Sequence, residues 1–104
     1  MKRGMHMWEA TGLRENLIKE IAALAAKYDL HRVVLFGSRA RGDYGERSDI
    51  DLAVCGGNIA EFSVDVEEET DTLLFFDVVN LDGAVTRELR EEINREGVVL
   101  YEKI

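Results

Sequence analysis

The chain has 104 residues, 46% hydrophobic and 33% charged, with no proline, one cysteine and a formal net charge of −8 from 21 acids against 13 bases. That size holds one domain with one modest core, and the composition is that of an ordinary soluble globular protein. It excludes an internal disulfide and a bilayer-spanning run of about 20 apolar residues, and the acidic excess argues against a DNA or RNA polymer as the main partner, because phosphate neutralisation supplies most such affinity.

From the N-terminus, residues 1–12 read as a tail ahead of a domain over 13–104. Met5, Met7 and Trp8 are apolar enough to dock on a surface, but the segment lacks the apolar stretch of about 7–15 residues that a secretion signal needs. With the lone Cys55 this suits a reducing cytoplasm. Leu13, Leu17, Ile21, Leu24 and Tyr28 recur at spacings of three and four, with Arg14, Glu15, Lys19, Glu20 and Lys27 opposite. That pattern predicts an amphipathic helix over 13–28. The apolar run 32–36 predicts a buried strand, after which Gly37 and Ser38 begin a tight turn into a short helical stretch.

Gly42, Asp43, Tyr44 and Gly45 predict a loop, and a second strand is expected over 49–54, ended by Gly56, Gly57 and Asn58. Between 59 and 70, Ile59, Phe62 and Val66 have helical spacing, although Phe62 to Val66 also alternates like a strand. A third strand is predicted over 72–79. Asp82 is the expected N-cap of a helix carrying Val85, Leu89 and Ile93 and ending before Gly97, and 98–101 read as a short last strand. The order α-β-α-β-α-β-α-β describes a single α/β (α+β) domain, a mixed sheet of about four strands flanked by helices.

Asp49 and Asp51 are two apart in an apolar run, so on a strand both carboxylates point to one face, about 6–7 Å apart. A third acid, Asp77, lies inside Leu73-Leu74-Phe75-Phe76-Asp77-Val78-Val79. Unpaired buried charge is costly, and a divalent metal would neutralise all three. An Asp-x-Asp pair by itself is also common in solvated loops and helix caps, and Asp71 and Asp82 compete with Asp77 for the third place. Arg39, Arg41 and Arg47 cluster between Gly37-Ser38 and Asp49. There is no Gly-x-x-x-x-Gly-Lys-Ser/Thr loop and no EF-hand order of acids. Ser38 has no histidine partner in a suitable context, and His6 and His31 read as surface or helix-end residues.

Gly37-Ser38, then ten residues, then Asp49-x-Asp51 resembles the signature of the minimal nucleotidyltransferases, small members of the DNA polymerase β-like superfamily. Gly-Ser-Arg-Ala-Arg-Gly, Ser-Asp-Ile-Asp-Leu, the later Phe-Asp-Val-Val-Asn-Leu and the terminal Glu-Gly-Val-Val-Leu-Tyr extend the likeness from about Leu13 to Tyr101, closest to the MntA-like antitoxin branch. The resemblance implies a polymerase β-like nucleotidyltransferase fold and Mg²⁺-dependent transfer of AMP from ATP to a hydroxyl, with two ions and Mn²⁺ as a substitute. It implies Asp49, Asp51 and Asp77 as catalytic metal ligands and Gly37 and Ser38 as the phosphate cradle. Arg39 and Arg41 join them as nucleotide-binding candidates, although a short helix puts the two on different faces, so at most one is expected to touch phosphate.

Few residues follow Asp77, too few for the helical domain with which larger relatives grip an acceptor. The resemblance therefore implies a separately encoded helical partner of the HEPN or substrate-binding class, modified on tyrosine. The rival expectation is a non-catalytic module that neutralises its partner by occlusion. A small-molecule acceptor would need more chain to build its pocket.

Overall fold

A computed structural model describes residues 11–104. Its elements are α1 (Glu15–Lys27), β1 (Arg32–Phe36), α2 (Ser38–Arg41), β2 (Ile50–Cys55), α3 (Ile59–Glu69), β3 (Phe76–Asn80), α4 (Arg87–Glu96) and β4 (Val98–Glu102). This is the expected order of helices and strands. The strands form a mixed sheet in the order β3-β2-β1-β4, with β1 antiparallel to β2 and β4, and β2 parallel to β3.

Alternation along the inner strands sends side chains into two cores, which is why β1 and β2 read as continuous apolar runs. Val33, Leu35, Leu52 and Val54 meet Leu17, Ile21 and Leu24 of α1 and Phe62 and Val66 of α3. On the other face Val34, Phe36 and Ala53 meet Leu81 and Ile93, with Val85 and Leu89 packed alongside, so α4 covers that side. The ambiguous segment after β2 is a helix: Phe62 and Val66 are buried, Val64 between them is 52% exposed, and Asn58 caps the first turn by accepting from the Glu61 amide at 3.3 Å. α1 and α3 are joined by a hydrogen bond from the Tyr28 hydroxyl to Asp65.

The structure corrects the sequence reading at three places. The third strand starts at Phe76 and not at 72, because Leu73 and Phe75 stand 99% and 71% exposed outside the sheet. The last helix starts at Arg87, capped by the Thr86 hydroxyl, which accepts from the Leu89 amide at 3.2 Å. Asp82 instead accepts from the Gly56 amide at 2.7 Å, closing the turn at the end of β2. Thr11, expected in the tail, is buried, and its hydroxyl accepts from the Leu13 amide. Met5, His6, Met7 and Trp8 lie outside the described residues. Among those residues no helix is long and apolar enough to cross a membrane.

Candidate functional site

β1 ends at Phe36, which faces Asp51 across the antiparallel β1–β2 pair. The next residue, Gly37, has φ +78° and ψ −156°, a backbone conformation that only glycine adopts without strain. A Cβ at this position would lie 2.3 Å from Asp51 Oδ2. The missing side chain therefore lets the turn into α2 press its backbone against a carboxylate. Ser38 follows at the start of α2, and the short helix ends at Gly42 in a left-handed conformation with φ +87°.

Asp51 also pairs in register with Asp77 across the parallel β2–β3 pair. Register partners on adjacent strands, about 4.8 Å apart, share a sheet face, and by alternation Asp51 falls on the side of Ala53, the side α4 packs on. Asp49 immediately precedes β2. Asp51 is half-buried, whereas Asp49 and Asp77 are exposed. Burial, then repulsion from Asp77 and Asp49, pushes the Asp51 carboxyl above the usual carboxylate range; Glu92 of α4 adds to the push and Arg41 opposes it.

A half-buried carboxylate held among like charges is an oxygen site with surplus negative charge, the chemistry that suits a hard divalent cation. Among the described residues no three His, Cys, Asp or Glu side chains close into a metal cage by themselves. Mg²⁺ typically takes one or two carboxylates and completes its shell with water and substrate phosphates.

The two arginines of α2 diverge. Arg39 is 3% exposed; it donates to the carbonyls of Thr11 at 2.9 Å, Ser48 at 3.2 Å and Glu46 at 3.4 Å. Its guanidinium lies 4.7 Å from the centre of the Tyr44 ring. The expectation that Arg39 offers charge to phosphate is corrected by this geometry, which engages its donors with loop carbonyls. Arg41 is partly exposed and pairs with Asp43 at 3.3 Å, Glu96 at 3.4 Å and Glu92 at 3.8 Å, tying α2 to α4.

Glu92 and Glu96 escaped the sequence reading. Their i, i+4 spacing looks like any solvated helix face, and only the packing of α4 beside α2 brings them to Arg41. The rival acids lie elsewhere: the Asp71 backbone lies beside α1, its carbonyl accepting from Arg14 and its amide donating to Glu20, and Asp82 sits at the opposite end of β2 from Asp51. A cavity of about 500 Å³ lined by His31, Arg32, Cys55 and Glu102 also lies at that far end, away from the three aspartates.

The chain is similar to several known proteins. The family described as Polymerase beta, Nucleotidyltransferase matches residues 19–104. A Methanocaldococcus jannaschii protein bearing the name "putative protein adenylyltransferase" is 43% identical over 99 residues, covering 84% of this chain and 97% of its own. Among solved structures, a mutant of the toxin–antitoxin MntA–HpeT superposes with a TM-score of 0.65 at 26% identity, over 83% of this chain and 73% of that one. A toxin–antitoxin crystallised with AMP-PNP gives a TM-score of 0.60 at 29% identity, over 88% and 75%.

Proposed function

This chain belongs to the polymerase β nucleotidyltransferase family, and we propose that within it the protein is a Mg²⁺-dependent adenylyltransferase that moves AMP from ATP onto a hydroxyl, the tyrosine of a separately encoded helical HEPN-type protein. The observation that carries this reading is Asp51: half-buried, in register with Asp77, two residues from Asp49 and pinned against the Gly37 backbone. The adenylyltransferase name of the relative and the AMP-PNP and toxin–antitoxin names of the neighbours support an ATP donor and a protein acceptor. A lone cysteine and an ATP donor suit the cytoplasm.

In this reading Asp49, Asp51 and Asp77 hold the metal, and Mn²⁺ substitutes for Mg²⁺. When bound, two such ions supply positive charge to the attacking and leaving oxygens. Gly37 lets the backbone approach the β- and γ-phosphates closely, and Ser38 donates its hydroxyl to them. Asp77 orients the acceptor hydroxyl and accepts its proton. The hydroxyl oxygen bonds to the α-phosphorus, the bond from that phosphorus to the bridging oxygen breaks, and pyrophosphate leaves. Arg41 stands near enough to Asp51 to offset part of its charge, whereas Arg39 keeps the loop in shape.

The test is intact-mass spectrometry of the co-encoded helical protein after incubation with this protein, ATP and Mg²⁺. One or more AMP groups should appear on it, and Asp49→Asn with Asp51→Asn should remove them while the protein stays folded. A partner that is never modified, yet is silenced equally well by that double variant, would replace transfer with occlusion.

A further inference from the structure

The proposed phosphate cradle lies at the end of β1, Asp49 just before β2, Asp51 on it, and Asp77 on β3, an outer strand of the sheet among the described residues. The acceptor in the proposed transfer therefore has to approach from the open side of β3. That side has two unassigned properties. Leu73 and Phe75 are 99% and 71% exposed, and together with Leu74 and Arg47 they line a groove of about 390 Å³. The groove adjoins the site, because the Ile50 amide donates to the Phe75 carbonyl at 2.9 Å, one residue from Asp49. Phe75 also has the same alternation parity as Asp77.

The second property is the backbone edge. Phe75 and Leu81 bond to β2 through Ile50 and Val54, so by alternation the amides and carbonyls of Phe76, Val78 and Asn80 point away from the sheet. The Phe76 amide is capped by Glu67 at 3.4 Å and the Asn80 carbonyl accepts from the Gly83 amide at 3.1 Å, but between them an outer strand of this kind remains a template for another strand. Charge defines what fits it. Asp49 and Asp77 on one side and Glu67, Glu68 and Glu69 of α3 on the other are exposed, and they favour a basic segment.

Resting on the adenylyltransferase reading, we propose that β3 and the Leu73–Phe75 lip form the acceptor-docking surface. The occupant is an extended segment of the partner protein, apolar where it meets Leu73 and Phe75, basic at its flanks, and carrying the hydroxyl opposite Asp77. Burying one or two large apolar side chains there is worth about tenfold or more in affinity.

The probe is a fluorescein-labelled peptide with one tyrosine between leucines and lysines at both ends. Its controls carry serines for the leucines, glutamates for the lysines, or N-methyl groups on alternate amides. Fluorescence anisotropy should show the leucine–lysine peptide binding about tenfold more tightly than each control. Leu73→Ser with Phe75→Ser should erase the preference for leucine while AMP-PNP binding in Mg²⁺ is unchanged. Equal binding of all peptides, no binding of any, or a preference that survives the double variant would overturn the proposal.

Two other occupants would reveal themselves. Loss of AMP-PNP affinity in Phe75→Ser would assign the ring to the nucleobase. Concentration-dependent dimers abolished by the double variant would assign the lip to a second copy of the chain. Selective peptide binding with no AMP appearing on the co-encoded helical protein would keep the docking surface and defeat the adenylyltransferase reading instead.

Discussion

Gly37 does two things that no other residue can do at its position. Its φ of +78° with ψ −156° excludes side-chain-bearing residues at low cost, and the space a Cβ would take is already held by Asp51 Oδ2 at 2.3 Å. Gly37→Ala should therefore lose about 1–3 kcal/mol from backbone strain and also displace the carboxylate, so urea denaturation and the transfer assay should both register it. Ser38→Ala removes one hydroxyl and should weaken nucleotide binding only mildly; an unchanged nucleotide affinity in folded Gly37→Ala would mean that phosphates bind elsewhere.

Asp51 yields a prediction in pH. Its carboxyl is pushed up by burial and by Asp77 and Asp49, so the folded state holds this proton more tightly than the unfolded chain does. The resulting stability is fully present below the ordinary carboxylate range and is lost as pH rises through the raised pKa. In metal-free protein, urea midpoints measured across acid to neutral pH should fall through that window, and Asp51→Asn should flatten the fall and be the more stable form at neutral pH. A neutral-pH loss of stability in Asp51→Asn would show that the three carboxylates do not repel one another as the fold implies.

The elements were legible where periodicity and burial coincide. The stripe from Leu13 to Tyr28 gave α1, and the apolar runs gave β1 and β2, because helices on both faces of the sheet make inner strands apolar throughout. The same logic misled at β3. Leu73, Leu74 and Phe75 look like core, and nothing local distinguishes an apolar residue that meets a helix from one left on a rim. The start of α4 was misread for a related reason: Asp82 and Thr86 are both good caps, and the turn at Gly56 takes the first. Thr86→Ala should accordingly cost about 1 kcal/mol by urea denaturation, and Asp82→Ala should leave the helicity of α4 intact by circular dichroism; the reverse pattern would move the cap back to Asp82.

For the whole molecule, the motif spacing anticipated the family, which both the matched residues 19–104 and the 43% identical relative establish. The resemblance implies Asp77 beside Asp49 and Asp51, and Asp51 and Asp77 are register partners across β2 and β3. The burial of Arg39 could not be read locally. Its acceptors are backbone carbonyls of Thr11, Glu46 and Ser48, groups present at every residue and therefore invisible in any pattern of side chains.

The outer place of β3 has a dynamic consequence. Among the described residues, β1 and β2 are hydrogen-bonded on both sides, whereas β3 has one strand neighbour. Strands held on one side open at lower free energy than the global transition, so amide hydrogen exchange at Asp77 and Val79, whose amides face β2, should outpace that at Val34 and Ala53, which pair across β1 and β2. In mild urea, transfer should then fail before nucleotide binding does, because Asp77 frays with its strand while Gly37, Ser38 and Asp51 stay in place; simultaneous loss of both would show that the sheet opens as one unit. The acid assigned to receive the acceptor's proton is thus held less firmly than Asp51 on the inner strand β2. An arriving acceptor strand would slow exchange along β3 and steady that acid at the moment it is needed, so the enzyme would idle until its substrate completes the sheet.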